Sequence, residues 1–562
     1  MQGKEIIAFF IITLVTINKV ASQILPDSIT KKIDNLFIKW NTPNSPGCAI
    51  GIIRNDSLIY AKGYGMADLE HVIPITPATI FYMCSVSKQF TGYSVVLLAR
   101  QGRIKLDEDI HVYLPWAPDF GKRITVRNLL NHTSGIRDDI SLAAISGLGY
   151  DGMLTQDLSL NILKRQRSLN FPPGEQYSYS NSNFVLLSEI VKAVSKKSFR
   201  AFADSAIFKP LGMINSRFQD DYTELIQDRA FSYEMTDSGH FTNNFQNVYT
   251  LGDGGLFTNI TDMAKWVTNY YSPKAGDSKD INQLAETGKL NNGKKISYAL
   301  GISVNKYNGW KEFNHGGGLA GYRTFISVFP DARMGFLVFG NVGNFNSFAK
   351  THDIANLFII DTLKSKTSDD AGKIDSSIAI LKDTMALKKI EGSYISDNGL
   401  QINFRLHNKK FYADAFGQSF LLLKNIKDTF SFIVDPNVKF YFSKNIDKDK
   451  MGVVLFPNQE PQRIKKYNSN TIYSDAILQL YTGIYFSTEL DCRFAIILKD
   501  HQLVLTNNKY KDAKLTLIGN NDIIDESGLL SRLKIFRDTN NKIKGFEVNS
   551  GQVMHLRFNK IE

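Results

Sequence analysis

The stretch Ser85-Val86-Ser87-Lys88 decides how this chain is interpreted. Residues three positions apart on a helix lie on the same face, so Lys88 is expected to lie over Ser85. A serine hydroxyl becomes a good nucleophile only when a neighbouring base takes its proton. A lysine amine can be that base when burial or a nearby positive charge lowers its pKa. On its own the pattern is weak, because most such pairs lie on solvated helix faces.

Length and composition indicate a multidomain globular protein. The chain has 562 residues, of which 43% are hydrophobic and 22% are charged. Its formal net charge of +11 is spread along the chain, with an excess of +6 before residue 351 and +5 from there onward. A nucleic-acid binder would concentrate this charge in a patch. We therefore expect a solvated basic surface and no nucleic-acid partner.

The N-terminus has the pattern of a secretory signal peptide over residues 1–22. Lys4 provides a short positive region, residues 6–17 form an apolar run, and residues 20–22 suit a cleavage site. The apolar run is too short to span a bilayer, and no later segment stays apolar for about 18 residues. We expect a periplasmic or secreted protein with no transmembrane segment after signal cleavage. An uncleaved anchor or a buried helix is the alternative.

Cysteine usage gives no sign of a disulfide framework or a metal site. Cys48, Cys84 and Cys492 are too scattered for such a framework. Cys84 directly precedes Ser85, and we interpret it as a buried core residue rather than the nucleophile. No C-x-x-C or H-E-x-x-H pattern occurs, so we expect no metal and no cofactor.

Two regimes divide the chain. Residues 27–365 mix strand-like and helix-like periods, which predicts an α+β domain with an antiparallel sheet flanked by helices and an all-helical part. The polar segment 366–385 is a predicted linker. Beyond it, 386–468 and 475–562 contain short alternating runs typical of two small antiparallel β domains, each a barrel or a sandwich.

Individual elements can be assigned within this framework. A helix is predicted from Ser85 to Gln101 with a stop at Gly102, a second one after Asn181, and a third one capped by Thr261. Strand pairs are predicted at both ends of the first domain, at 49–53 with 58–61 and at 322–329 with 334–340. In the tail, 387–394 resembles 478–485, which indicates a duplicated β domain; chance similarity of short strands is the alternative.

Two polar residues before the second helix suit a catalytic cleft. Tyr179 and Asn181 are two positions apart at the turn where that helix begins. A tyrosinate beside a lysine can act as a general base, because the ammonium stabilises the phenolate. The asparagine amide can hydrogen-bond a substrate carbonyl or orient Lys88.

The glycine-rich stretch His315-Gly316-Gly317-Gly318 is the third candidate motif. Its glycines permit close approach of a ligand to the backbone, and a free N–H there can form half of an oxyanion hole. His315 is a candidate contact for a substrate carboxylate or for proton transfer near neutral pH. A fourth stretch, 132–135, has the pattern of a helix stop and a turn, and we predict a structural role for it at the cleft floor.

In this order the three motifs resemble the serine β-lactamase and penicillin-binding-protein superfamily. The resemblance is strongest to class C β-lactamases and the related D,D-carboxypeptidase, D-aminopeptidase and esterase branch. It covers roughly residues 30 to 345 and includes further stretches in family order: Pro46-Gly47-Cys48-Ala49, Gly63 to Asp68, Leu129 to Gly135, and Gly254 to Phe257 with Asp262. The tail resembles, more weakly, the lipocalin-like barrels of D-aminopeptidase-type members.

The resemblance assigns roles to the motif residues. It implies catalytic Ser85, Lys88 and Tyr179, substrate-binding Asn181, His315 and Gly317, and an oxyanion hole formed by the N–H groups of Ser85 and Gly318. Either Lys88 or Tyr179 can be the base, since a coupled pair titrates jointly.

One departure from the superfamily pattern concerns the third motif. Where β-lactamases carry Lys-Thr-Gly, this chain has His315 and Gly316, and the fixed cation that grips a carboxylate is lost. We expect a serine hydrolase that forms an acyl-enzyme with small amide or ester substrates, including D-amino-acid peptides. The alternatives are a β-lactamase or penicillin-binding carboxypeptidase, and a binding protein with a vestigial hydrolase domain. The sequence gives no oligomeric state.

Overall fold

The computed structural model describes residues 25–148, 152–359, 385–415, 418–425, 429–432, 437–443, 450–457, 459–468 and 471–561. The predicted signal peptide lies outside these residues, as does the predicted linker apart from Met385. Within the described ranges, no helix has the length and apolar character needed to cross a membrane. All three cysteines carry free thiols.

A six-stranded antiparallel sheet forms the centre of the first domain. Its strands are β1 (Cys48–Arg54), β2 (Ser57–Tyr64), β3 (Ser303–Tyr307), β4 (Trp310–Leu319), β5 (Tyr322–Phe329) and β6 (Met334–Gly340). Their spatial order is β3-β4-β5-β6-β1-β2, so the first hairpin of the domain lies against its last strand. Both predicted strand pairs, β1 with β2 and β5 with β6, are confirmed.

Helices cover both faces of this sheet. The six helices used below are α1 (Asp27–Phe37), α2 (Lys88–Arg100), α3 (Asp139–Ala143), α4 (Asn181–Ser195), α5 (Ile260–Asn269) and α6 (Ser347–Ala355). Every residue of β6 is buried, because α5 packs on one face of the sheet and α6 on the other.

Shorter elements fill the connections of the first domain. Its remaining α-helices are Val126–Leu130, Gln156–Lys164, Phe199–Ala203, Lys209–Leu211 and Ser278–Leu284. Short strands lie at Met66–Asp68, Ile73–Pro74, Phe81–Tyr82, Leu154–Thr155, Arg217–Phe218, Tyr233–Met235, Phe241–Asn243, Val248–Tyr249 and Leu256–Thr258.

The helix α2 runs through the middle of the domain. All residues from Lys88 to Leu98 are buried, so this helix is enclosed on every side. The predicted helix start at Ser85 is wrong, because a 3-10 turn, Cys84–Ser87, precedes α2. Residues three apart eclipse one another in a 3-10 turn, so Lys88 still reaches Ser85. Gly102 follows the helix with φ of 70°, as its predicted stop requires.

The start of α5 also differs from its prediction. Asn259, not Thr261, is the N-cap, and its side-chain oxygen accepts a hydrogen bond from the backbone N–H of Asp262. Asn and Thr are both good N-cap residues, so the side-chain pattern alone did not distinguish the two positions.

The tail forms two closed barrels of eight antiparallel strands, which confirms the predicted pair of small β domains and selects barrels over sandwiches. The first barrel contains β7–β14, at Gly392–Ser396, Gln401–His407, Lys410–Ala415, Gln418–Lys424, Thr429–Phe432, Lys439–Phe442, Met451–Leu455 and Gln462–Lys466. The second contains β15–β22, at Gly483–Ser487, Cys492–Lys499, Gln502–Thr506, Ala513–Gly519, Asp522–Asp525, Arg532–Arg537, Ile543–Ser550 and Val553–Lys560.

The two barrels begin in the same way, which supports duplication. A short helix, Met385–Ile390 or Asp475–Leu478, precedes the first strand of each barrel. Tyr394 donates a hydrogen bond of 2.9 Å to the carbonyl of the residue four positions earlier, and Tyr485 does the same at 2.7 Å. Both tyrosines are fully buried.

The central helix gives a test of this packing. A Cβ added to Gly92 would overlap the carbonyl oxygen of Leu300, which is backbone and cannot turn away. We expect Gly92→Ala to lower the free energy of unfolding by about 2 kcal/mol, as overpacking does in a filled core. In an ordinary helix the same change stabilises by about 1 kcal/mol. Calorimetric unfolding measures the difference, with exposed Lys192→Ala on α4 as the control; a stabilised Gly92→Ala variant would contradict the packing.

Candidate active site

Ser85 is the one residue between Phe81 and Leu98 that is not buried. Two backbone hydrogen bonds hold its turn in place. The Met83 N–H donates to the carbonyl of Leu256, and within the turn the Val86 N–H donates to the carbonyl of Met83. The preceding Cys84 is buried, and burial raises the pKa of its thiol. A thiol that resists ionisation is a poor nucleophile. The accessible Ser85 hydroxyl is therefore the better candidate nucleophile than the buried Cys84 thiol.

Lys88 has no solvent exposure, and all three of its N–H donors have partners. The Nζ donates to Ser85 Oγ at 3.1 Å, to Asn181 Oδ1 at 2.8 Å and to the carbonyl of Asp253 at 2.8 Å. It also lies 4.9 Å from the centre of the Tyr179 ring. The predicted pair of Ser85 and Lys88 is therefore brought into direct contact.

The surroundings of Lys88 favour its neutral form. Burial lowers the pKa of Lys88 from 10.5 to about 8, and the nearby carboxyl groups of Asp253, Asp138 and Asp139 offset part of that effect. An amine with this pKa is partly neutral near pH 7 to 8 and can then accept a proton from the serine.

The Tyr179 ring lies beside Ser85 and packs against the ring of His132. Its ring centre is 4.3 Å from that of His132, which is itself fully buried. Burial raises the pKa of the Tyr179 phenol, and interaction with the Ser85 hydroxyl offsets part of the rise. His132 Nδ1 accepts the backbone N–H of Ser180 at 3.2 Å, so this residue holds the Tyr179 segment in place, which is the structural role predicted for it.

Asn181 stands between Lys88 and a carboxylate. Its Oδ1 accepts from Lys88, while its Nδ2 and its backbone N–H donate to Asp138 Oδ1 at 2.9 and 2.7 Å. Both ends of the amide are thus used within the protein. Of the two roles considered for Asn181, this arrangement favours orienting Lys88 over binding substrate.

Both ring nitrogens of His315 also have hydrogen-bond partners within the protein. Its Nδ1 lies 2.7 Å from the carbonyl oxygen of Gly316, which can only accept, so Nδ1 carries the proton. Its Nε2 then accepts from the Tyr298 hydroxyl at 2.9 Å. Burial, with the nearby charge of Lys88, lowers the pKa of His315 to about 4. The ring is neutral at physiological pH and does not replace the lysine cation of β-lactamases.

The glycines of the third motif line the strand that faces Ser85. β3 pairs with β4 as far as Asn314, and beyond it β4 pairs with β5 on one side and approaches the Ser85 turn on the other. A Cβ on Gly317 would meet the carbonyl of Met83 and would lie 3.0 Å from Cys84 Cβ. The motif was predicted to lead into a strand; it instead lies inside one. Gly318 is exposed on this strand, where a backbone N–H can face a substrate.

The structure therefore brings together Ser85, Lys88, Tyr179 and Asn181, with His315 and Gly317 alongside. Sequence reasoning missed three contributors to this site: Asp138, the backbone carbonyl of Asp253, and Tyr298. Two of them stood next to stretches already singled out, since Asp138 follows 132–135 and Asp253 precedes Gly254. Tyr298 had no sequence signal, because its contact with His315 depends on how two chain segments meet.

Comparison with known proteins agrees with this architecture. The protein-family model described as Beta-lactamase matches residues 33–359. A D-aminopeptidase of Brucella ovis is 31% identical over 303 residues, which cover 53% of this chain and 56% of that protein. A D-aminopeptidase of Gluconobacter oxydans is 28% identical over 296 residues, with coverage of 53% and 56%. The chain spans about half the length of the curated relatives it matches.

Solved structures show the same fold. The octameric penicillin-binding protein homologue from Pyrococcus abyssi superimposes with a TM-score of 0.54 at 23% identity, covering 78% of this chain and 98% of that one. FmtA from Staphylococcus aureus gives a TM-score of 0.51 at 22% identity, covering 62% of this chain and 93% of that one.

The titration of Lys88 gives a test of the site. If its neutral amine takes the serine proton, the rate of Ser85 labelling by a fluorophosphonate rises as the pH rises through about 8, because Lys88 then loses its charge. Labelling rate constants across the pH range, for the wild type and Tyr179→Phe, make the measurement. A limb that persists in Tyr179→Phe assigns the base to Lys88; a rate that does not change with pH contradicts the assignment.

Proposed function

Because the chain belongs to the beta-lactamase family, we propose that it is a serine hydrolase that forms an acyl-enzyme on Ser85. Its substrates are small amides or esters, with peptides and amides of D-amino acids as the preferred class. One observation carries the proposal: the fully buried Lys88 contacts the hydroxyl of Ser85, the only accessible residue of its segment.

The reaction follows from the positions of these groups. Ser85 Oγ attacks the carbonyl carbon while its proton passes to Lys88, with Tyr179 as the alternative base. The oxyanion that develops is bound by the backbone N–H groups of Ser85 and Gly318. The protonated base gives that proton to the leaving amine or alcohol as the carbon–nitrogen or carbon–oxygen bond breaks. Water then attacks the acyl carbon, the same base takes the proton of the water and returns it to Ser85 Oγ, and the acid product is released.

The neutral third motif supports a substrate without a carboxylate anchor. His315 carries no charge at physiological pH, so this motif lacks the fixed cation that would bind a carboxylate. A β-lactam or a peptide C-terminus carries a carboxylate that needs a fixed cation at the third motif. A substrate with a free amino group has no such need, which agrees with the D-aminopeptidases among the relatives.

A panel of chromogenic substrates tests the proposal. We expect D-alanine p-nitroanilide to be hydrolysed faster than its L enantiomer, its N-acetyl derivative or a chromogenic cephalosporin. Ser85→Ala should lower kcat by about a thousandfold or more, as removal of a nucleophile does in serine hydrolases.

The control is Ser238→Ala, a serine exposed on the surface of the same domain. It should retain the wild-type rates. Efficient turnover of the cephalosporin alone would favour a β-lactamase, and hydrolysis that survives in Ser85→Ala would refute the nucleophile.

A further inference from the structure

A buried arginine joins the second barrel to the first domain beside the candidate active site. The Arg137 side chain has no solvent exposure, and each of its five N–H donors has an acceptor. The acceptors are the carbonyl of Met554 (2.8 Å), Gln166 Oε1 (3.0 Å), Glu489 Oε2 (2.7 Å), Ser168 Oγ (2.6 Å) and the carbonyl of His555 (2.9 Å). Three of these five acceptors belong to the second barrel.

Neighbouring contacts fix the same segment. Asn170 clamps the turn before β22, because its Nδ2 donates to the carbonyl of Gln552 at 2.8 Å and its Oδ1 accepts from the Met554 N–H at 2.7 Å. The Asn170 N–H donates to the carbonyl of Gly135, two residues before Arg137. The Gln552 carbonyl also accepts from the backbone N–H of Asp138.

The helix that follows Asp138 is held by the barrel as well. Asp138 is the N-cap of α3, and its Oδ2 accepts from the Ser141 N–H at 3.0 Å. Further along α3, Leu142 and Ala143 are buried in one continuous apolar cluster with the core of the second barrel. The barrel therefore grips the chain on both sides of Asp138.

Asp138 leads directly to the catalytic lysine. Its Oδ1 accepts two hydrogen bonds from Asn181, and Asn181 Oδ1 accepts from Lys88. The turn at Gln552 thus connects by hydrogen bonds through Asp138 and Asn181 to Lys88, and Glu489 connects to the same segment through Arg137, which the peptide bond joins to Asp138.

We propose that the second barrel is a structural part of the active site, and that Arg137 is a positioning residue through which the docked barrel fixes Asp138, Asn181 and Lys88. This inference rests on the proposed function only for its kinetic readout. Undocking of the barrel leaves the arginine with two of its five acceptors and frees the segment that orients the lysine.

Two conservative variants of the full-length protein test the proposal. Arg137→Lys keeps the positive charge but cannot supply five N–H groups. Glu489→Gln keeps the shape of the side chain but removes the negative charge that pairs with Arg137. We expect both to slow fluorophosphonate labelling of Ser85 by about tenfold or more, because a small misplacement of a catalytic group is costly. The final extent of labelling should stay complete, since every folded molecule still reacts.

The matched control is Glu460→Gln in the first barrel. Glu460 pairs with Lys294 of the first domain at 2.9 Å, but both side chains are more than two-fifths exposed. An exposed pair of this kind contributes little, so labelling should proceed at the wild-type rate.

A double-variant cycle shows whether the effect passes through Asn181. If it does, Glu489→Gln should slow labelling little or not at all in an Asn181→Ala background. Effects that multiply independently would overturn the proposal. So would wild-type rates in both Arg137→Lys and Glu489→Gln, or a reduced extent of labelling at an unchanged rate, which would show that the barrel serves folding alone.

Hydrogen exchange separates this inference from the proposed function. The Asn181 N–H, which donates to Asp138, should exchange faster in Glu489→Gln and remain protected in Glu460→Gln. That result stands whether or not Ser85 is labelled. An unlabelled wild type would defeat the proposed function, whereas unchanged exchange in Glu489→Gln would defeat the positioning role.

Discussion

The site depends on an amine held entirely inside the protein. Removing an ammonium from water costs several kcal/mol, and only well-placed acceptors offset that cost. Lys88 meets three acceptors within 3.1 Å, and a shift of its pKa from 10.5 to about 8 still leaves a preference of about 3 kcal/mol for the neutral form relative to a lysine in water. Its neighbours must therefore be rigid. The close packing of the loop at Gly301 on the Lys88 carbonyl and the four hydrogen bonds accepted by the Asp138 carboxylate provide that rigidity.

The features that could be predicted from the sequence depend on local hydrophobic patterns and on the order of the motifs. The strand pairs and the helix at Asn181 follow from hydrophobic period, and Ser85, Lys88 and Tyr179 follow from motif order. The roles of Asp138, Asp253 and Tyr298 could not be predicted, because each depends on contacts that tertiary packing brings to the site. The misplaced helix start and N-cap are of another kind. In both cases the sequence allows two local backbone conformations. The hydrogen bond of the Met83 N–H to Leu256 fixes the turn before α2, and the hydrogen bond between Asp262 and Asn259 fixes the N-cap of α5.

The two barrels differ in how they contact the rest of the chain. The second barrel meets the first domain through a buried ion pair and a shared apolar cluster. The first barrel meets it through the exposed pair of Lys294 and Glu460, and meets the second barrel through Arg532, which bonds Asp397 and the carbonyl of Ser396. Buried charge is tolerated only where its partners are fixed, so the first of these interfaces is the more rigid. The second barrel thus lies against the segment that orients Lys88, whereas the described ion pair of the first barrel with the first domain lies on the surface.

The neutral third motif and the docked second barrel both affect the charges around Lys88. A lysine in place of His315 would put a second cation close to Lys88, whose charge already helps to lower the pKa of the histidine. Two ammonium groups at that distance would lower both pKa values further and would favour loss of a proton from one of them. The neutral imidazole, bonded to Tyr298 and Gly316, leaves the charge of Lys88 to be balanced by the carboxyl groups of Asp253, Asp138 and Asp139, of which the last two lie on the segment that the second barrel holds. Burial has the largest effect on the pKa of Lys88, and two of the three carboxyl groups that oppose it lie on the segment held by the second barrel. The third motif remains free to shape the strand that faces the substrate.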